Sequence, residues 1–379
     1  VSVPEGYVEL GLRLGRHVDG LVDAYYGPPE IAERVESEEL RAPADLVADA
    51  GRLREANESA YLDAQLVGLE TFARKLAGEE IPFADEVERC YGVRPRRTPE
   101  AELEAAHSAL DEALPGDGSL TERYQAWREG DPVPADRLQA VLEEITEELR
   151  GRTRAMLGLP EGESAAIELV TDEPWSAYNY YEGGLRSRVA VNVDVPMATN
   201  FITELMAHEL YPGHQTEHAW KEQLLYRDEG RLEAGILMIG APESMVAEGI
   251  AGLGLELVLD DEDAFTAEHL ARHGIDYDEE VARAVKAVAG PLKDVGGNVA
   301  LMLYEDGMSE DEGLEYLRRW GLMSDKRAAQ SMRFVTDPIW RSYVTTYTDG
   351  YKVCRDWVGG DPARFRRLLT EALTPADLL

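Results

Sequence analysis

Cysteine is almost missing from this 379-residue chain, with only Cys90 and Cys354 present. That excludes a disulfide framework and any zinc site built from cysteines. No run approaches the roughly 18 to 20 apolar residues that a membrane span requires, so a membrane partner is not expected. The first seven residues, Val1 to Tyr7, have neither the basic nor the apolar region of a secretory leader, and the expected location is the cytoplasm. Positive charge is scarce as well. Lysine and arginine total 38 against 74 aspartates and glutamates, a formal charge of -36, and lysine occurs only at 75, 221, 286, 293, 326 and 352. Phosphates would be repelled, which argues against a nucleic-acid partner. The acidic residues are spread along the chain instead of forming a tail, a pattern that resembles salt-adapted proteins. In such proteins a hydrated acidic surface maintains solubility, and a screening length of about 3 Å at 1 M salt removes the self-repulsion.

Alternating strand-like runs are few. Apolar residues recur at helical spacing from Tyr7 to Tyr25, and further helical patterns cover 42–56, 59–77, 98–112, 118–129 and 135–157, bounded by Pro or Gly. Residues 1–157 are expected to form an all-helical region that roofs a cleft. Residues 158–379 carry the chemistry, in a second region packed intimately enough against the first to count as one domain. Only Ala166–Thr171 and Ser187–Val193 alternate with a period of two, and they predict a small β-hairpin or sheet. Between them Trp175, Tyr178, Tyr180 and Tyr181 read as an aromatic loop, suited either to lining a ligand or to packing a hairpin. Helical patterns resume through the metal-rich stretch, from 242 to 259, and over 262–289, 291–304, 310–320 and 323–334. A final helix from Asp337 to Val358 sets Tyr343, Tyr347 and Tyr351 on one face. The expected fold class is mainly α with a small sheet before the metal-site helix.

Three of the seven histidines fall between Leu205 and His218. His208 and His214 are six residues apart, so a continuous helix would place them about 120° apart around its axis, unable to share a metal. Pro212 cannot donate to the carbonyl of His208 and clashes with it, and Gly213 reaches conformations closed to other residues. The helix must therefore break between Leu210 and His214. With two residues looped out, His214 takes the place of the second histidine of a His-Glu-x-x-His zinc helix, and Glu209 becomes the general base. A catalytic zinc ion takes three protein ligands. The apolar segment after 242 offers Glu243 and Glu248 as the third, two carboxylates that would be costly to bury without partners.

The run His208-Glu209-Leu210-Tyr211-Pro212-Gly213-His214 resembles the His-Glu-x-x-Pro-Gly-His signature of the DUF885 proteins, a group similar to gluzincin metallopeptidases. The family's Glu-Gly-Trp-Ala block is similar to Glu248-Gly249-Ile250-Ala251, and its tyrosine three residues before a glycine to Tyr347 and Gly350. The resemblance covers residues 200 to 350 in order and rough spacing. It implies a helical gluzincin-like fold and one Zn2+ ion held by His208, His214 and Glu248. It further implies Glu209 as the base toward water and Tyr347 as the donor to the oxyanion, with peptides or small amides as substrates. The chain departs from the family at Gln215 and Glu217, where a second histidine and a glutamine are usual, and at Ile250, where an aromatic residue is usual.

Competing readings use the same residues. His214, Glu217 and His218 match an inverted His-x-x-Glu-His motif, and a metal-free pseudoenzyme or peptide-binding helical protein would keep the fold without the ion. Arg333 and Arg341 are candidates for holding a substrate carboxylate. His269 and His273 stand four apart on what reads as an exposed amphipathic face, while His17 and His107 read as packing or surface residues.

Overall fold

The computed structural model describes residues 2–173 and 175–379. The molecule is mainly α-helical, with a two-stranded and a three-stranded sheet. Among the described residues no helix is long and apolar enough to cross a membrane. Helices that bear on the site are labelled as they occur. Helix α1 (Val3–Gly15) begins where Ser2 caps the amide of Glu5, and it buries Tyr7, Leu10 and Leu14. It stops earlier than its apolar spacing predicts, and residues 1–157 are not wholly helical. A turn at Gly20, with φ of 77°, leads into strand β1 (Val22–Tyr25).

Helices Pro43–Glu55, Ala60–Leu76 and Glu100–Ala113 match the sequence pattern closely, and two shorter ones, Pro29–Ser37 and Phe83–Tyr91, come in addition. Helix α2 (Leu120–Glu129) carries a capping box of Ser119 and Glu122. Helix α3 (Ala135–Met156) follows and buries Leu138, Val141, Leu142, Ile145 and Leu149 along one stripe.

Strands β2 (Ser164–Val170), β3 (Ala177–Gly183) and β4 (Arg186–Asn192) form a sheet of order β2-β4-β3. β2 runs parallel to β4, with Ile167 opposite Val189, and β3 runs antiparallel to β4, with Asn179 opposite Val189. The aromatic segment expected as a loop is thus largely a strand. Its tyrosines suit a pleated, half-buried surface, and Gly183 and Gly184, both at positive φ, turn the chain into β4. Helix α4 (Ile202–Glu209) and helix α5 (His214–Lys221) follow, the latter continuing into a π-helical segment, Glu222–Asp228. Strand β5 (Ile236–Met238) then returns to pair antiparallel with β1.

Helix α6 (Pro242–Val258) lies between two large apolar clusters. One joins α1, the early helices, β5 and residues 295–343; the other joins α3, the sheet, α4 and the C-terminal helices. Both clusters draw on residues from either side of position 157. The helix expected over 262–289 is two, Glu262–Arg272 and Glu279–Ala289, separated at Gly274, whose φ is 65°. Helix α7 (Asp325–Thr336) precedes a 3-10 turn, Arg341–Thr345, and helix α8 (Thr346–Val358). Helices α6 and α8 meet almost backbone to backbone. A Cβ placed on Gly249 would lie 2.4 Å from the carbonyl oxygen of Gly350, and one on Gly350 would lie 2.3 Å from that of Met245. Only glycine at both positions permits this approach.

Candidate metal centre

The helical stretch does break where Pro212 and Gly213 require it. Leu210 leaves helical geometry at φ -119° and ψ -84°, the Tyr211–Pro212 bond is cis, and α5 starts at His214. The amide of Gly213 donates to the carbonyl of Ala207 at 2.9 Å, and Thr216 donates through its amide and its hydroxyl to the carbonyl of Leu210. The backbone of the break is therefore satisfied from within. A Cβ on Gly213 would stand 1.9 Å from the carbonyl oxygen of His208, so no other residue fits here without moving the ligand-bearing turn. Pro212 packs against Gly254 of α6, which ties the break to the helix that carries Glu248.

The consequence is convergence. The rings of His208 and His214 are 4.8 Å apart and perpendicular. Glu248 Oε2 lies 3.4 Å from His208 Nε2, and one ligand atom from each of His208, His214 and Glu248 falls within 4.8 Å of the others. Ligand atoms about 2.1 Å from a tetrahedral zinc ion stand about 3.4 Å from one another, so small rotamer adjustments bring this set into range. The donor set, two imidazoles and a carboxylate, is that of a catalytic zinc site. His214 Nδ1 is buried without a hydrogen-bond partner and Glu248 Oε2 has only the long contact to His208, a costly state that a cation would relieve. The other carboxylate oxygen of Glu248 accepts from the Tyr343 hydroxyl at 2.6 Å, which orients the carboxylate.

Protonation follows the same logic. Burial pushes His214 down to about 4, aided by the nearby charge of His208, so its lone pair is free. Burial also works against a charged His208, but the hydrogen bond and charge of Glu248 outweigh it and push the imidazole up to about 9. In the metal-free protein the His208 proton balances Glu248; a divalent cation would take over that role.

A cavity of about 380 Å³ opens in front of these groups. Glu209 lines it, and its carboxylate makes no hydrogen bond or ion pair among the described residues. Burial, reinforced by the charges of Glu248 and Asp23, pushes Glu209 up to about 7. Tyr347, 47% exposed, reaches into the same cavity with its ring edge-on to Tyr343 at 5.5 Å. The third tyrosine of the expected row, Tyr351, turns outward and donates to Glu256 at 2.6 Å. Ala177, Tyr178 and Asn179 of β3 form part of the wall.

Other sequence candidates fall elsewhere. Glu243 accepts from the buried Lys221 at 3.0 Å and from the Tyr61 hydroxyl at 3.3 Å, and it takes no place among the converging ligands. Glu217, the base of the inverted motif, is held by Lys221 at 2.6 Å. His218 stacks parallel behind His214 at 5.7 Å and does not belong to the converging set. Gln215 faces the sheet, accepting from Ser187 and donating to the carbonyl of Leu185, and Ile250 lies in the second apolar cluster. The three departures from the family pattern, Gln215, Glu217 and Ile250, thus lie outside the converging ligand set. Arg341 is bound to Glu86 at 2.6 Å and lies over the ring of Tyr304, so it is not available to a substrate in the cavity. His269, expected on an exposed face, is fully buried and meets Glu148 at 3.0 Å, while His273 meets Glu144 at 2.7 Å.

Asp23 of β1 was not legible in the sequence. It lines the cavity and accepts a hydrogen bond from Tyr178, and burial pushes its carboxyl up to about 6. Its position depends on the pairing of β1 with β5, and the local sequence carries no signal of that.

No protein-family model matches the chain, and no curated protein matches it. Solved structures do. A "putative lipoprotein" from Colwellia psychrerythraea superposes over 92% of this chain with a TM-score of 0.52 and 14% identity. A second, from Shewanella oneidensis and described as of unknown function, covers 93% of this chain with a TM-score of 0.52 and 13% identity. The chain spans 57% of the first protein's length and 69% of the second's. At these identities the likeness is one of fold.

Proposed function

We propose that this protein is a metal-dependent hydrolase of peptide or small amide bonds, with Zn2+ as the expected ion. The observation that carries the reading is the convergence of His208, His214 and Glu248 next to a partnerless Glu209 in one cavity. When bound, the ion supplies Lewis acidity to water and to a carbonyl oxygen. Glu209, which lines the cavity with no partner of its own among the described residues, is suited to accept the proton of a water held there and to deliver it to the leaving amine. Tyr347 lines the same cavity and is the candidate hydroxyl donor to the developing oxyanion. Membership of DUF885 is part of the same proposal. Its support is that the three resembling blocks meet in space, with Glu248 beside His208 and Gly249 against Gly350.

The test combines metal analysis with a peptide-hydrolysis assay. Protein loaded with Zn2+ and washed should retain about one equivalent; Glu209→Gln should retain the ion and lose hydrolysis, and His214→Ala should lose both. A second reading, a metal-free peptide-binding protein, draws on the His208–Glu248 pair, which already balances its own charge. It predicts no retained ion in the wild type. Loss of metal on His218→Ala but not on His208→Ala would instead favour the inverted motif.

A further inference from the structure

His208 and Tyr347 also line a second, larger space of about 810 Å³, a groove that continues the metal-site cavity past α2, α4, α7 and α8. Six cations border it, in a protein where acidic residues outnumber basic ones by 74 to 38. Four of them are neutralised in place. Lys286 meets Glu262, Lys293 meets Glu204, Lys352 meets Asp294 and Arg355 meets Asp356. The other two, Arg128 of α2 and Arg327 of α7, have no carboxylate within ion-pair distance among the described residues. Glu102, Glu129 and Glu256 also border the groove; none is within ion-pair distance of either arginine among the described residues, although the charge of Glu129 is felt at Arg327.

Arg128 and Arg327 lie close enough for the charge of one to disfavour that of the other. Arg327 is exposed overall, and the partial enclosure of its head group followed by the charge of Arg128 holds it below the ordinary guanidinium range, with Tyr124 and Glu129 acting against both. Arg128 Nε is buried with no acceptor, and its guanidinium lies 4.8 Å over the ring of Phe201, itself edge-on to Trp127. A guanidinium held over an aromatic ring, with terminal nitrogens that make no hydrogen bond among the described residues, beside a second unpaired guanidinium is suited to capture of a carboxylate. In a chain so rich in carboxylates, leaving these two cations without a partner points to a ligand that supplies one.

We propose that Arg128 and Arg327 form a carboxylate subsite for the substrate of the metal centre, which rests on the hydrolase reading above. The spacing sets where cleavage falls. Phe201, under Arg128 and at the N-cap of α4, and His208, near its C-terminal end, are seven residues apart, about 10 Å at 1.5 Å per residue. An extended peptide advances about 3.3–3.6 Å per residue, so a carboxylate held at Arg128 lies two or three residues from a carbonyl at the metal ligands. A free C-terminal carboxylate at the subsite makes the protein release short peptides from the carboxyl end. An acidic side chain at the same distance satisfies the same subsite.

Three hexapeptides of one apolar sequence separate the cases: one with a free C-terminus, its C-terminal amide, and an amide ending in glutamate. Binding is measured by calorimetry on Zn2+-loaded Glu209→Gln protein, so the readout does not require hydrolysis. The free acid should bind about ten- to a hundredfold more tightly than the plain amide. The double variant Arg128→Gln, Arg327→Gln, placed on Glu209→Gln protein and checked for folding by circular dichroism, should abolish that preference. Tight binding of the glutamyl amide identifies a side-chain carboxylate as the ligand, and weak binding identifies the chain terminus. Equal binding of acid and plain amide, absence of binding by all three, or a preference that survives the double variant overturns the subsite. If the preference holds and the wild type cleaves none of the peptides, the hydrolase reading fails and the carboxylate site stands. Where cleavage occurs, mass spectrometry should place it two or three residues from the C-terminus.

Discussion

A buried carboxyl that folding makes harder to ionise is a local cost, and Asp23 bears one. Burial first, and then the charge of Glu248, raise it from 3.8 to about 6 despite the hydrogen bond from Tyr178. A carboxyl whose folded value exceeds its unfolded value holds its proton more tightly in the native state. Its contribution to stability is therefore intact below the unfolded value, is lost as pH rises toward 6, and remains lost above. Asparagine at this position accepts the same hydrogen bond and carries no charge. In metal-free protein Asp23→Asn should thus be more stable than the wild type at pH 7.5, by roughly 1 to 3 kcal/mol given the span between the two values. The difference should fade to near zero below pH 4. Denaturant melts across this range measure it, and a variant less stable than the wild type at pH 7.5 would show that Asp23 supports the fold. A residue that costs stability while facing a cavity is the usual sign of a functional position.

At the scale of elements, apolar spacing was informative wherever a helix buries one continuous stripe. The pattern over 135–157 corresponds to Ala135–Met156 because its buried residues recur along one face, whereas that over 242–259 corresponds to Pro242–Val258, buried nearly all round between two apolar clusters, because so long an apolar run exceeds a strand. The His208–His214 break was legible for a different reason, since Pro212 and Gly213 impose their geometry locally. Val22–Tyr25 was not, because its partner strand lies more than 200 residues away and its short apolar run fits a helix equally well. Asp23 and the Arg128–Arg327 groove were hidden for the same reason: each is assembled by contacts between distant elements. The local device also makes the sharper prediction. In Gly213→Ala the added carbon meets the His208 carbonyl oxygen at 1.9 Å, so the turn must shift and move the ligand pair with it. Zn2+ affinity should fall at least about tenfold, and stability by several kcal/mol. Competition with a chromophoric chelator and a denaturant melt check the two effects. Retention of both would mean that the break does not set the ligand geometry.

For the whole molecule the dominant quantity is the charge of -36. Many cations are already engaged, from the buried Lys221 between Glu217 and Glu243 to surface pairs such as Arg272 with Glu268, yet the carboxylates outnumber them almost two to one. Salt acts on these two populations in opposite directions. Exposed pairs are worth about 0 to 1 kcal/mol each, and screening removes that gain, whereas the uncompensated carboxylates repel over distances that screening shortens to about 3 Å at 1 M. With a surplus this large the repulsive part should prevail, and the thermal midpoint should rise between 0.1 and 1 M KCl and then level off. A continued rise in proportion to salt would instead indicate exclusion of the salt from the surface, as with sulfate. A fall would show that the ion pairs dominate and that the acidic surface is not an adaptation to salt. The same screening leaves contact pairing in a partly enclosed groove largely in place, because a guanidinium–carboxylate pair acts at hydrogen-bond distance. The preference for a free carboxylate over an amide should therefore persist in 1 M KCl on the same Glu209→Gln protein, even as the long-range repulsion between the acidic chain and the peptide carboxylate is screened away.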